Sequence, residues 1–263
     1  MPDIKLIATD MDGTLLNSKH ELPIDFYEVF ETLCQKDILF VAASGRQYYN
    51  LLDVFATIAD RMAFIAENGT YVVHKGNEIS SSTIAPETVA NVIDIVSAIP
   101  HTGIVVCGKQ CAYYDSDDPE FRYNIGLYYG KRQKVDDLKA HLDDCLKIAI
   151  FCGQGTEENV YPHVKNLTGE LQVVVSGKVW LDMMPAGANK GKALADLQKL
   201  LQITPKQTLA FGDYMNDVEM MQQAQYSFAM VNAHDEVKKV ANHITKFSND
   251  EEGVIYEIKQ LIP

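Results

Sequence analysis

The sequence predicts a doubly wound α/β fold interrupted by an inserted α+β unit. Before about Thr83 and after about Pro185, short apolar runs of strand length alternate with segments of helical periodicity, the signature of parallel βαβ units with right-handed crossovers. Between those points the rhythm changes to helices and hairpin-like strand pairs with their own apolar faces. The strand-like runs of the flanking parts also stop at small or acidic residues, at the end of an open parallel sheet where ligands bind.

The first strand, Ile4 to Thr9, runs into Asp10-Met11-Asp12-Gly13. Phe26, Val29, Phe30 and Leu33 then fall at helical spacing. Ile38 to Ala42 is a second buried strand ending in Ala43-Ser44-Gly45-Arg46, and a helix with Tyr48, Leu51, Leu52 and Phe55 follows. Ala63 to Ala66 is a third strand, turned by Asn68-Gly69 into Tyr71 to Val73. In the insertion, Pro86 opens a helix, Ile104 to Val106 and Ala112 to Tyr114 form a hairpin, and a tyrosine-rich helix spans Phe121 to Tyr129. A helix over Val135 to Cys145, a strand over Lys147 to Phe151 and a helix over Glu157 to Leu167 follow. Leu171 to Val175 and Lys178 to Met183 pair about Ser176-Gly177, and Met184 to Gly187 makes the exit linker. The βαβ rhythm returns with a helix from Asn189, a strand at Thr208 to Phe211, a helix at Val218 to Gln223, a last strand at Tyr226 to Met230 and a closing helix at Val254 to Leu261.

The chain has 263 residues, 47% of them hydrophobic, and a formal charge of −13. Nucleic acid and anionic membranes need a basic footprint, so neither is an expected partner. No charged leader precedes a long apolar segment, and the expectation is a cytoplasmic protein without signal peptide or transmembrane span. Cys34, Cys107, Cys111, Cys145 and Cys152 are odd in number and scattered, as reduced core residues are. Cys107 and Cys111 lack a second pair at zinc-site spacing, and Gly153-Gln154-Gly155 lacks the third glycine of a dinucleotide fingerprint.

If the late strands add on the other side of the first one, strand order reverses beside it, creating a topological switch point. That reversal is expected to gather Asp10, Asp12, Asp213 and Asp217, with Ser44 on the neighbouring strand end. Four carboxylates in one small site require a cation or protons, and hard oxygen ligands without histidine or thiolate favour Mg²⁺.

These residues resemble the four motifs of the haloacid dehalogenase (HAD) superfamily. Asp10-Met11-Asp12-Gly13-Thr14 matches the first, Ser44 in Ala-Ser-Gly-Arg the second, Lys190 in Asn-Lys-Gly-Lys-Ala-Leu the third, and Gly212-Asp213-Tyr214-Met215-Asn216-Asp217 the fourth. The insertion between motifs two and three and the terminal Glu-Glu-Gly-Val segment are similar to the Cof-type branch with a C2B cap. The resemblance implies a Rossmann-like core over 1–82 and 186–263 and an α+β cap over 83–185 that chooses the substrate. It implies Asp10 as nucleophile, forming an aspartyl-phosphate, and Asp12 as general acid and then base. An ordinary aspartate titrates near ~3.9, so for the first of those tasks the surroundings of Asp12 must favour the protonated form. Mg²⁺ would be bound by Asp10, the backbone carbonyl of Asp12 and Asp213, and Asp217 would orient a water on the metal or Lys190. Ser44 and Lys190 would hold the phosphoryl oxygens, assisted by Gly45 and Asn216, with Arg46 as a further substrate contact. No histidine lies in these motifs, and the histidines are expected at the surface. The implied activity is Mg²⁺-dependent hydrolysis of small phosphorylated metabolites, sugar phosphates by default. A phosphotransferase or hexose phosphate mutase, and a non-catalytic sugar-phosphate-binding regulator, are the alternatives.

Overall fold

The computed structural model describes residues 3–167 and 169–262. They form two compact units, one holding the described residues up to Gly45, Phe55–Ser80 and those from Asn189 on, the other Arg46–Val54 and Ser81–Ala188. The helix Tyr48–Val54, which the sequence rhythm assigns to the first unit, thus groups with the second. Its physical ties are polar: the Gln47 amide donates to the Lys131 carbonyl and accepts from the Lys131 N–H, and Asn50 Oδ1 accepts from the Gly130 N–H.

The first unit is built on an eight-stranded sheet of β1 (Leu6–Asp10), β2 (Leu39–Ala43), β3 (Ala63–Ala66), β4 (Tyr71–His74), β5 (Asn77–Ser81), β12 (Thr208–Gly212), β13 (Tyr226–Ala229) and β14 (His243–Ile244), in the order β14-β13-β12-β1-β2-β3-β4-β5. The pairings from β14 to β3 are parallel, and β4 returns antiparallel to β3. Strand β1 lies between β2 and β12, so the order reverses at β1 as expected of a switch point. All five of its residues are buried. Leu6 and Ala8 pack with Ala193, Leu194 and Leu197 of the helix Lys190–Leu201. The opposite face is aromatic: Phe26 and Phe30 of the helix Phe26–Gln35 meet Phe40 at centroid distances of 5.4 and 6.2 Å. Each such ring contributes about 1.5–3 kcal/mol by leaving water, so the sheet around β1 is packed on both faces.

The second unit carries a six-stranded sheet of β6 (Thr102–Gly108), β7 (Ala112–Tyr114), β8 (Arg132–Lys134), β9 (Cys145–Cys152), β10 (Leu171–Val175) and β11 (Trp180–Pro185), ordered β10-β11-β9-β6-β7-β8. All its pairings are antiparallel except β7 with β8. One face packs Val89, Val92 and Val96 of the helix Pro86–Ser97; the other packs Phe121 and Ile125 of the helix Pro119–Tyr128.

Several expected elements are corrected. Val135 to Cys145 is not a helix. Only Leu138–Ala140 makes a helical turn, because the Asp137 carboxylate takes the Lys139 N–H and Asp144 adopts a left-handed φ of 56°. Glu157 to Leu167 breaks into Thr156–Asn159, Tyr161–Val164 and a terminal turn, Pro162 lacking the N–H that would continue the helix. Tyr226 to Met230 is not the last strand: a helix, Asp235–Val240, and β14 follow. Among the described residues no helix is long and apolar enough to cross a membrane.

Candidate active site

Asp10 ends β1 beside Ala43, the last residue of β2. Its carboxylate is buried because the strand that delivers it is buried, and it converges there with two residues distant in sequence. Lys190, the first residue of its helix, is completely buried, and its Nζ donates to Asp10 Oδ1 at 2.5 Å and to Asp217 Oδ1 at 2.7 Å. A cation at a helix N-terminus faces an unfavourable dipole, and here two carboxylates outweigh it. The helix can start so close to Asp217 only because residue 191 is glycine, where a Cβ would stand 2.4 Å from the Glu219 carbonyl.

Asp217 has both oxygens engaged. Oδ1 takes the lysine, and Oδ2 accepts the N–H groups of Asp213 and Tyr214 at 3.0 and 3.1 Å. It therefore braces the loop after β12 and presents Asp213. Thr14 Oγ1 donates to Asp213 Oδ1 at 2.8 Å, tying that loop to the turn after β1. The turn needs glycine at 13, with φ 80°, where a Cβ would meet the Asp213 carboxylate at 2.5 Å.

The charges do not balance. Asp10, Asp213 and Asp217 bring three carboxylates whose oxygens lie within 4.8 Å of one another, against one ammonium. Burial first, then repulsion from Asp217 and Asp213, hold Asp10 well above the usual carboxylate range despite the opposing pull of Lys190. Burial likewise pushes Asp213 up to about 6, with Asp217 adding to the rise and the Thr14 hydroxyl opposing it. Lys190 moves the other way from most buried amines: burial lowers its pKa, but attraction to Asp10 and Asp217 more than offsets this and leaves it above the ordinary lysine value. Two uncompensated negative charges among hard oxygen donors are what a divalent cation relieves. Asp10 and Asp213 suit that task better than Asp217, whose oxygens already serve the lysine and the loop.

The expected quartet of carboxylates is a trio. Asp12 is exposed, and its Oδ1 lies 3.0 Å from His20 Nδ1. Strand alternation would have kept residues 10 and 12 on one face, but β1 stops at Asp10 and the chain turns, with the N–H groups of Thr14 and Leu16 donating to the Met11 carbonyl. Ser44 is buried at the end of β2, its N–H on the Ile65 carbonyl and its own carbonyl accepting from Asn68 N–H. Asn216 Nδ2 donates to Asn68 Oδ1 at 3.1 Å, and Gly45 lies against the same amide, where a Cβ would come within 3.0 Å of Asn68 Oδ1. Asn68 thus joins two expected site segments, although its sequence signal reads only as a turn. Asn68 and its neighbour Glu67 both take left-handed φ, 57° and 49°. Arg46 opens the segment that groups with the second unit.

Asn68 and His20 are the neighbours that motif reading passes over, and Thr14, part of the first motif, is given no role by it. Thr14 could have been found as the hydroxyl next to Gly13. His20 could have been found only by seeing that Asn17-Ser18-Lys19 is a turn that sends the chain back toward residue 12.

Comparison with known proteins agrees with this geometry. Residues 7–258 match the family model for haloacid dehalogenase-like hydrolases. The chain is 33% identical to the 5-amino-6-(5-phospho-D-ribitylamino)uracil phosphatase YbjI of Escherichia coli, over 98% of this chain and 96% of that one. It is 27% identical to the HMP-PP phosphatase of Escherichia fergusonii, over 91% and 89%. Among solved structures it is similar to a haloacid dehalogenase-like hydrolase from Bacteroides thetaiotaomicron, with a TM-score of 0.89 and 26% identity over 98% of this chain and 99% of that one. With its reversal of strand order at β1, its buried Asp10–Lys190–Asp217 cluster and a family match over nearly its whole length, the chain belongs to the haloacid dehalogenase-like hydrolases, as a HAD-type phosphatase.

Proposed function

We propose that this protein hydrolyses phosphomonoesters of small metabolites through an aspartyl-phosphate on Asp10, with Mg²⁺ as its cation. The observation that carries the proposal is the fully buried Lys190 ammonium, which grips Asp10 Oδ1 and Asp217 Oδ1. It fixes the rotamer of Asp10 and supplies positive charge in a chain whose net charge is −13. Held in this way, Asp10 attacks phosphorus as the bond to the leaving oxygen breaks. Asp12 gives that oxygen a proton and then takes one from the water that cleaves the acyl phosphate. Lys190, the Ser44 hydroxyl, the backbone N–H of Gly45 and the Asn216 amide are assigned to the phosphoryl oxygens. Asp217 is assigned to holding Lys190.

The cation belongs with Asp10, Asp213 and the carbonyl of Asp12, and when bound it would screen the nucleophile from the negative phosphate. The inserted unit, placed at 83–185 from the sequence, is assigned the choice of leaving group, and Arg46 a contact with substrate. The relatives named above act on a phosphorylated ribityl chain and on HMP-PP. We take a primary phosphate on a polyol or sugar chain as the first substrate class for this protein.

The test is phosphate release from a panel of polyol, sugar and nucleotide phosphates, with Mg²⁺ or EDTA, in wild type and Asp10→Asn. The expected result is EDTA-sensitive turnover reduced by about 10³-fold or more in the variant. Near wild-type turnover by Asp10→Asn would overturn the nucleophile assignment.

A further inference from the structure

The Asp12 side chain is 44% exposed and lies outside the buried cluster. A general acid nonetheless has to meet the leaving oxygen within hydrogen-bond reach. One partner of its carboxylate, His20, whose Nδ1 lies 3.0 Å from Asp12 Oδ1, comes from a loop with unusual construction. Asn17 N–H donates to the Glu21 carbonyl at 3.1 Å, and His20 N–H donates to the Asn17 carbonyl at 2.9 Å. Asn17 Oδ1 accepts the N–H groups of Lys19 and Glu21 at 2.9 and 3.0 Å. This tight turn forces His20 into left-handed backbone, φ 62°, and points its ring back at Asp12.

The loop is also anchored from the far end of the chain. Ser18 N–H donates to Asp250 Oδ1 at 2.7 Å, Asn249 Nδ2 to the Leu16 carbonyl at 3.0 Å and Asn232 Nδ2 to the Gly13 carbonyl at 2.8 Å. An exposed ion pair contributes at most about 1 kcal/mol to stability, and a non-glycine residue in left-handed backbone costs about as much or more. The His20–Asp12 pair by itself therefore does not offset the backbone cost of placing His20 there.

We propose that His20 is a positioning residue for Asp12. Its Nδ1–H donates to Asp12 Oδ1, which restricts the carboxyl to one orientation and assigns the transferable proton to Oδ2. The negative charge of the bound phosphate favours the protonated carboxyl, so before transfer that proton is on Oδ2; as the P–O bond breaks it passes to the leaving alkoxide, and Asp12 is left ionised with Oδ1 still on the imidazole. The terminal segment 248–252 serves the same end by fixing the loop. This inference rests on the acid/base assignment of Asp12.

The test compares kcat/KM of wild type, His20→Ala and His20→Asn on a polyol phosphate, whose alkoxide needs a proton, and on p-nitrophenyl phosphate, whose phenolate leaves without one. His20→Ala is expected to lose about 10-fold on the polyol phosphate, a fraction of the whole general-acid contribution, and less than about 3-fold on the aryl phosphate, with His20→Asn regaining most of the loss through its amide N–H. Equal losses on both substrates, or none on the polyol phosphate, would overturn the proposal. A second readout does not need turnover. In ¹H–¹⁵N spectra of the full chain the His20 ring is expected as the Nδ1–H form in wild type and to change on Asp12→Ala; an unchanged ring spectrum would also overturn it. Failure of the phosphatase reading itself is distinct: it is the absence of Asp10-dependent phosphate release in wild type.

Discussion

Lys190→Met retains the length and most of the volume of the side chain and removes its charge. Asp10 Oδ1 then loses a partner at 2.5 Å and Asp217 Oδ1 one at 2.7 Å. The lysine is completely buried and the two carboxylates nearly so, and water cannot take its place. Removing one member of a buried ion pair costs about 3–5 kcal/mol. At about 2–4 °C per kcal/mol for a protein of this size, the melting temperature of the first unit falls by about 6–20 °C at pH 8 in EDTA. The pH dependence has a definite sign. Because Lys190 is held above the ordinary lysine value, its contribution is fully present below that value and is lost only as pH rises past it, so wild type keeps it through the neutral range. In Lys190→Met the stranded carboxylates take up protons as pH falls, and the deficit shrinks toward pH 5. Adding Asp217→Asn to Lys190→Met removes one stranded charge and recovers at least about 1 kcal/mol. Thermal melts followed by circular dichroism measure all of this. A Lys190→Met melting temperature within about 2 °C of wild type at pH 8 would refute the view that the lysine is the electrostatic keystone of the site.

Two further predictions concern the same cluster. Asp213 is pushed up to about 6 by burial and by Asp217. In metal-free protein its contribution to stability is present below the ordinary aspartate value and lost as pH rises through about 6, so Asp213→Asn gains stability relative to wild type as pH rises from about 4 to about 6 and keeps that gain at higher pH. Saturating Mg²⁺ abolishes that gain, which paired melts with Mg²⁺ and with EDTA measure; a difference independent of pH would count against it. Gly191→Ala places a methyl 2.4 Å from the Glu219 carbonyl. It costs about 1–3 kcal/mol or more, read as a lower urea midpoint, and it weakens turnover because the start of the helix is where Lys190 sits.

The core was legible because its signals are local. Strand β1 is an apolar run that ends at an acid, the helix Lys190–Leu201 announces itself through its Asn189 cap, whose Oδ1 accepts the Lys192 N–H at 2.7 Å, and motif spacing fixed which strand ends would carry which acids. Elements held by sparse polar contacts were misread. Val135 and Leu138 have helical spacing, yet side-chain bonds from Asp137 offered the backbone a cheaper turn. The strand β14 is two residues long and both are exposed, too short for any periodicity to register.

By itself the sequence determined the central strands of the sheet, the reversal of order at β1 and the meeting there of Asp10, Lys190, Asp213 and Asp217, because burial of these apolar strands leaves few other ways to pack them. Only the tertiary structure decided how the two acids of Asp10-Met11-Asp12 part company. Asp10 goes inward to Lys190, whereas the turn stabilised by the Met11 carbonyl sends Asp12 outward to His20. The divergence depends on where a strand stops hydrogen bonding, on a glycine at positive φ and on a loop anchored over 200 residues away in sequence, at Asp250. None of these is a property of the two residues themselves.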